Sequence, residues 1–402
     1  MTIETAGVNK RTLNDQTDAE KDAEYEKFKK EWESEELAQV KVKVLQGHEK
    51  SVNRCAFLDQ TKSNLLSCSS DKTCKLWKLD TISCAKTYNC HDNIISYMDV
   101  PRDQIGENET APAKNFLTTA WDKLLCYWDL ETGQNVWRNR LKAISNSCAI
   151  SPDSKCAASM SDVEYILQLW DVNSGKCIKN IKAFHKSYAT HLSFDKTGTR
   201  VMTSSVDGQI KIFDVRSFAT TLKLLDGHQG VVSHAQFSAD NRKVVSCGWD
   251  KRICVWDIAT GLFRHEGAKV YENGHEGSIS SCLLDGNMLV SCSYDQTISV
   301  WDCVNGTVKL SLKGHEGWIN DVVLSDDRKW LASASKDSTV RLWNIEDSDR
   351  LKYIAKTTSV GLRVLTCENC KKPFSLSMQE HDEISEEFKK FCFFCRIHYE
   401  SK

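Results

Sequence analysis

A histidine, an aspartate and an aromatic residue return along this chain on one schedule. The histidines are His48, His91, His185, His228, His275 and His315, most of them preceded by Gly. About twenty or more residues after each comes a turn aspartate: Asp71, Asp122, Asp207, Asp250, Asp295 and Asp337. Six residues beyond each aspartate stands an aromatic: Trp77, Trp128, Phe213, Trp256, Trp301 and Trp343. A seventh copy, 142–171, has no His and ends at Trp170-Asp171; its Asp162 stands eight residues before Trp170, so its turn is expected to be two residues longer. The aromatic-to-aromatic spacings are 51, 42, 43, 43, 45 and 42, and the long one contains PRDQIGENETAPAKN, polar and turn-rich, which reads as a surface loop. A period of this length signals a repeat architecture, because one copy cannot bury its apolar face alone. Within the copies, STVRLWNI and QTISVWDC alternate apolar and polar residues as half-buried strands do.

This GH…D…WD pattern resembles the WD-repeat family over about residues 38–345. The resemblance implies an all-β fold, a seven-bladed β-propeller with four strands per blade. It also implies a hydrogen-bonded set in each blade: in the last copy His315, Asp337, Ser333 or Ser335, and Trp343. Such a buried polar set fixes one strand register, because an unpaired member is costly. Some copies depart from the pattern. Lys78 and Asn344 follow the tryptophan in place of Asp, and Phe213 has no indole N–H. The 142–171 copy should be the softest blade. By resemblance, residues 38–45 (AQVKVKVL) close the ring as the outer strand of the last blade, with Leu351–Lys356 the competing strand.

The family resemblance places two positions per copy on the narrow mouth of the central channel: the residue just before the turn aspartate, and the third after the histidine. Those positions hold Trp121, Tyr188, Trp249, Tyr294 and Trp318 in five different copies, and otherwise Ser51, Ser70, Ile94, Val206, Val231, Ser278 and Lys336. Exposed aromatic clusters mark interaction sites, and Trp and Tyr are common hot-spot residues. The bland alternative is that individual rings pack against neighbouring loops. The expected function is a non-enzymatic scaffold that binds partner peptides or loops on this face. TSSVDGQIKIFDVR at 203–216 also resembles the motif by which some WD-repeat proteins dock on the adaptor of cullin-4 ubiquitin ligases, through Asp207, Phe213, Asp214 and Arg216. A substrate receptor is therefore an alternative reading, as is a histone or RNA reader. A Gβ-like subunit fits less well, because of the short N-terminal helix and the extra tail.

Composition narrows the classes. The chain has 402 residues, is 27% charged and carries a formal net charge of −2, so there is no bulk electrostatic attraction to nucleic acid or anionic membrane. No apolar run reaches the ~20 residues that span a bilayer. The opening MTIETAGVNKRTLNDQTD has no apolar leader segment, so a cytoplasmic location is expected, with the nucleus as the alternative. Most of the 18 cysteines are scattered singly through apolar segments and read as small buried hydrophobes in a reducing compartment. There is no P-loop, G-x-S-x-G or H-E-x-x-H, and the recurring His and Asp are accounted for by the repeat. The expected state is a monomeric propeller within a larger complex.

The expected organisation has four parts. Residues 1–37, with 11 acidic and 6 basic residues, form an acidic arm in which Tyr25, Phe28 and Trp32 share one face of a helix. The propeller occupies 38–350, a linker 351–366, and a small zinc module 367–402. In that module Cys367 and Cys370 form one C-x2-C pair and Cys392 and Cys395 another, 21 residues apart. Two such knuckles offer four thiolates to a tetrahedral structural Zn²⁺, which would supply folding energy that so short a segment lacks. His381 or His398 could replace one thiolate. Metal analysis of protein purified without chelator is expected to return one zinc per chain; none would remove this assignment.

Overall fold

The computed structural model describes residues 40–58, 63–101, 113–182, 185–225, 227–261, 263–303 and 306–346, together with the backbone of two strands, Arg363–Thr366 and Pro373–Leu376. The acidic arm, Leu351–Lys356 and the four metal cysteines lie outside the described residues.

Seven four-stranded antiparallel sheets make up the repeat region. In the first, Val52–Phe57, Asn64–Ser69, Thr73–Lys78 and Ser83–Asn89 follow one another from the inside outward. The second strand of each sheet is almost wholly buried. It is pressed between neighbouring sheets, and its residues are accordingly small: NLLSCS, CAASMS, KVVSCG, WLASAS. This is where many of the scattered cysteines go; Cys68, Cys247 and Cys292 take equivalent places in three blades, fully buried. The cysteines among the described residues are all free, as small hydrophobes rather than crosslinks. Outer strands are far more exposed, as in SCAKTYN at 83–89.

There is no single central core. Apolar clusters lie between successive blades, for example Leu66, Tyr88, Ile95, Phe116 and Trp128 between the first and second. The cluster between the seventh blade and the first holds Leu45, Val52, Leu65, Trp77, Val340 and Leu342. Innermost strands touch in sequence and the seventh touches the first, so the blades form a closed ring.

Closure comes from the far N-terminal strand. Val42–Leu45 pairs antiparallel with Val340–Asn344, in the register Val42↔Trp343 to Leu45↔Val340. The alternation of VKVL suits it, since Leu45 turns inward to 1% exposure while Val42 stays out.

The inner strands share one irregularity. Register shifts after the first residue in all seven, a β-bulge. In six blades the bulged side chain reaches the first carbonyl of the next inner strand. Asn53 donates to Ile95 O (2.6 Å), Ser96 to Ser145 O (2.7 Å) and Thr190 to Val232 O (2.5 Å). Ser233 donates to Ile279 O (2.5 Å), Ser280 to Ile319 O (2.5 Å) and Asn320 to Val52 O (2.8 Å). The repeated sense of this belt sets all inner strands in the same direction along the channel, so equivalent loops emerge at the same end. In the third blade the shift spans Ser145 to Cys148, and Ser147 instead accepts Leu192 N–H at 3.0 Å.

Leu45→Ala, measured by denaturant unfolding, is expected to cost about 2–5 kcal/mol, the range for a fully buried leucine. A cost below ~1 kcal/mol would show that the closing strand adds little to the ring.

Candidate interaction face

Five blades carry the whole expected hydrogen-bonded set, and a sixth carries all of it but the indole. In the last blade, His315 Nδ1 meets Asp337 at 2.7 Å, His315 Nε2 meets Ser333 Oγ at 2.7 Å, and Trp343 Nε1 donates to the same hydroxyl at 2.9 Å. Of the two candidate serines, Ser333 is therefore the member, and Ser335 holds the turn through Trp318 O and Asp337 N–H. The equivalent hydroxyls are Ser67, Thr118, Thr203, Ser246 and Ser291. Phe213 leaves the fourth blade without an indole donor, yet His185 still bonds Asp207 and Thr203. The third blade keeps only Trp170 Nε1 to Ser159 (2.9 Å), with Leu141 buried at the histidine's place.

These sets tie the loop before each inner strand to the turn after the second strand, at one end of the ring. A backbone hydrogen bond then joins the two mouth positions in every blade. The pairs are Ser70→Ser51, Trp121→Ile94, Val206→Tyr188, Trp249→Val231, Tyr294→Ser278 and Lys336→Trp318. The third blade adds Asp162→Ile144. Asp162 is therefore not the turn aspartate of its copy, as its spacing to Trp170 suggested. It stands where Trp121 and Trp249 stand, and Val163 takes the turn position. The turn, 162 to 166 between strands, is therefore longer by one residue and not by the two that counting from Asp162 implied.

All five aromatics thus emerge at one end of the channel. Trp121 (49%), Tyr188 (38%), Trp249 (52%) and Trp318 (48%) are among the few large apolar side chains of this protein left exposed. Tyr294 is half-buried because it packs on Trp318, ring centroids 5.1 Å apart. The Lys336 ammonium lies 4.0 Å from the Trp318 ring centroid, a cation–π contact that continues the stack. The first blade is polar here: Asn53 bridges Ser51 and Ser70.

Below the mouth, the third residue of several inner strands projects into the channel. Arg54 bonds Asp321 (2.6 Å) and lies 3.4 Å from His234 Nε2; Tyr97 OH meets His191 Nε2 at 2.5 Å. The His191 and His234 rings are 3.8 Å apart, and the Arg54 guanidinium stands 4.4 Å from the centre of the Tyr97 ring. Two of these contacts, Arg54 to His234 and Tyr97 to His191, join blades that are not neighbours, so side chains bridge the channel at that depth. Sequence reading missed this cluster, because the third strand position holds Arg, Tyr, Ser, His or Asp and no one type recurs in every copy. Two of the expected adaptor-docking residues serve the blade itself: Asp207 bonds His185, and Phe213 is buried. Asp214 accepts the Arg216 and Ser217 N–H groups in the turn at the opposite end, where Arg216 is exposed.

The electrostatics of these groups are set by burial and pairing. Desolvation, with the Arg54 charge beside them, holds the His191 and His234 imidazoles well below their ordinary value. Desolvation also lowers His91, His185 and His315, against the pull of their aspartates. Burial alone would raise Asp71, Asp207, Asp295 and Asp337, but hydrogen bonds from His and Thr or backbone groups outweigh it and lower them. Asp321 runs the other way, raised by burial despite Arg54.

Comparison with known proteins agrees with this architecture. A family description, "WD domain, G-beta repeat", matches residues 39–78, 175–214, 219–257, 267–302 and 306–344. WD repeat-containing protein 88 of Homo sapiens is 38% identical over 367 residues, 90% of this chain and 75% of that protein. Pre-mRNA-processing factor 17 of Homo sapiens is 26% identical over 183 residues, 44% of this chain and 30% of that protein. The target of rapamycin complex subunit wat1 of Schizosaccharomyces pombe is 23% identical over 239 residues, 58% of this chain and 74% of it.

The lowered imidazoles give a pH expectation. Below the ordinary value of 6.5 the unfolded chain binds protons that the folded histidines refuse, so stability is complete above about pH 6.5 and falls as pH drops toward 5. The lowered aspartates add a second loss below about pH 4, with Asp321 opposing it in part. Urea midpoints measured from pH 7.5 to 5 should fall; a flat profile would mean that the channel histidines are not buried neutral.

Proposed function

The chain belongs to the WD-repeat family, and on that premise we propose that it is a non-enzymatic scaffold whose aromatic mouth binds a peptide or loop of a partner protein. The observation that carries this reading is the cluster Trp121, Tyr188, Trp249, Tyr294 and Trp318, on positions where the fold needs no large apolar residue. The other copies fill those positions with Ser, Ile, Val, Asp or Lys, and the blades form all the same. Aromatic area left exposed on a rigid mouth is inexpensive to order on binding, which suits hot-spot contacts. The bridged channel supports docking at the mouth rather than threading through it. Most described histidines are held in the blade sets or in the channel cluster. Among the described residues no helix is long and apolar enough to cross a membrane. One relative is named as a subunit of a complex, and a monomeric propeller inside a larger assembly fits that setting.

The substrate-receptor reading rests on Arg216, since Asp207 and Phe213 have structural work in any case. For the tail we propose the structural zinc. The strands Arg363–Thr366 and Pro373–Leu376 pair as an antiparallel hairpin, Thr366 opposite Pro373, and Cys367 and Cys370 fall in the six residues that connect them. A hairpin flanking one C-x2-C pair suits a knuckle that presents two sulfurs together, with Cys392 and Cys395 completing the set.

Affinity purification with mass spectrometry, comparing wild type with a folded Trp249→Ala/Trp318→Ala variant, tests the scaffold reading. A direct partner is expected to be lost, because hot-spot truncations cost about 2 kcal/mol or more, roughly 30-fold in affinity. Retention of every partner by the variant would refute it, and recovery of a cullin-4 adaptor abolished by Arg216→Ala would favour the receptor.

A further inference from the structure

The third blade breaks the pattern of the other six in two linked ways. Leu141, which stands at the histidine's place, belongs to the apolar cluster between the second and third blades and offers no donor to the turn. The turn itself is longer, with Glu164 and Tyr165 both left-handed at φ 63° and 50°. The result is a cavity of about 190 Å³ at the mouth end between these blades. Its polar lining comes from Lys123, Lys142, Ser161, Asp162, Glu164 and Gln168. The volume is more than ten times the ~10–15 Å³ that one water requires, so a long side chain can enter.

Asp162 makes this recess selective. In the intact blades the turn carboxylate receives a histidine N–H and a backbone N–H, as Asp71 does from His48 and Glu49. In the third blade Val163 takes that place and offers no carboxylate, while Asp162, one residue earlier at the mouth position, has its Oδ1 enclosed without a hydrogen-bond partner. No ion pair joins its carboxylate to a described residue, although two lysines share the lining. A partly enclosed anion with an unfilled acceptor favours a charged donor over a neutral one, since charge-assisted hydrogen bonds are about twice as strong. Lys123 and Lys142 are exposed at the rim, where solvent and salt screen their repulsion. Trp121 lies two residues from Lys123 on the same turn, so the recess lies beside the aromatic mouth.

We infer that this recess takes a basic side chain, lysine or arginine, of the partner segment bound by the aromatic mouth, its ammonium or guanidinium group set against Asp162. The inference rests on the reading of this end as the partner-binding face and adds the chemistry of one contact to it. The ligand cation would thus supply a donor that the blade does not give this carboxylate.

The test uses defined small probes and the full-length protein. Saturation-transfer NMR would follow N-acetyl-lysine methylamide and N-acetyl-arginine methylamide, with the norleucine and citrulline counterparts as neutral matches. The cationic probes are expected to bind, and Asp162→Asn to weaken them at least about tenfold. Lys142→Glu, on the exposed rim, is expected to tighten them several-fold and stays informative if Asp162→Asn fails to fold. Equal binding of cationic and neutral probes, no loss in folded Asp162→Asn, or no gain in Lys142→Glu would each overturn the assignment. Trp249→Ala/Trp318→Ala reports separately on partner binding at the mouth. Partner loss in that variant without cation selectivity at the recess would sink this inference alone and leave the scaffold reading standing.

Discussion

One hydroxyl in each intact blade holds the rest of the blade in place. Ser67, Thr118, Ser246, Ser291 and Ser333 each accept the indole N–H of the blade tryptophan and meet the histidine Nε2. With the imidazole neutral, one consistent chain of donors follows: indole to hydroxyl, hydroxyl to Nε2, Nδ1–H to the turn carboxylate. The hydroxyls are fully buried, so a slip of register would strand several polar groups out of water at once. Period-two alternation alone leaves a strand free to slide by two residues. This chain does not, and the turn carrying each mouth residue is therefore fixed.

The same chemistry explains what could be read in advance. Histidine, aspartate and tryptophan have no substitutes in that chain of donors, so they recur and the blades count themselves. The hydroxyl is less legible. Ser333 and Ser335 project from the same face of one strand, and only the pairing of Ser333 with Arg341 places it under Trp343. Asp162 misled because spacing to Trp170 was the available ruler, and a one-residue insertion moves the ruler. The belt and the channel cluster were invisible for another reason. The bulge accepts Asn, Ser or Thr alike, since each reaches a carbonyl, and the next position needs only to fit its opposite numbers across the axis.

The two ends of the ring carry different chemistry as a consequence. Turns at the mouth are held by the buried sets and can display aromatics without cost to the blade. Several turns at the other end are short local structures, such as Asp214 capping its own turn or the bidentate Arg328–Asp285 pair between neighbouring blades. Side chains between them, from Arg54 to His234, bridge the channel. The outer rim adds little, for its strands are mostly exposed and polar.

The pairing of Val42–Leu45 with Val340–Asn344 has a temporal side. A ribosome delivers the first of these strands long before the second, by roughly 15–60 s at ordinary rates of synthesis. During that interval the early strand has no edge to join, and the growing stack of blades ends in an open sheet. The ring's completion is thus a proofreading event: a chain that stops short, or whose last blade misregisters, leaves an unpaired edge for chaperones or proteases to find.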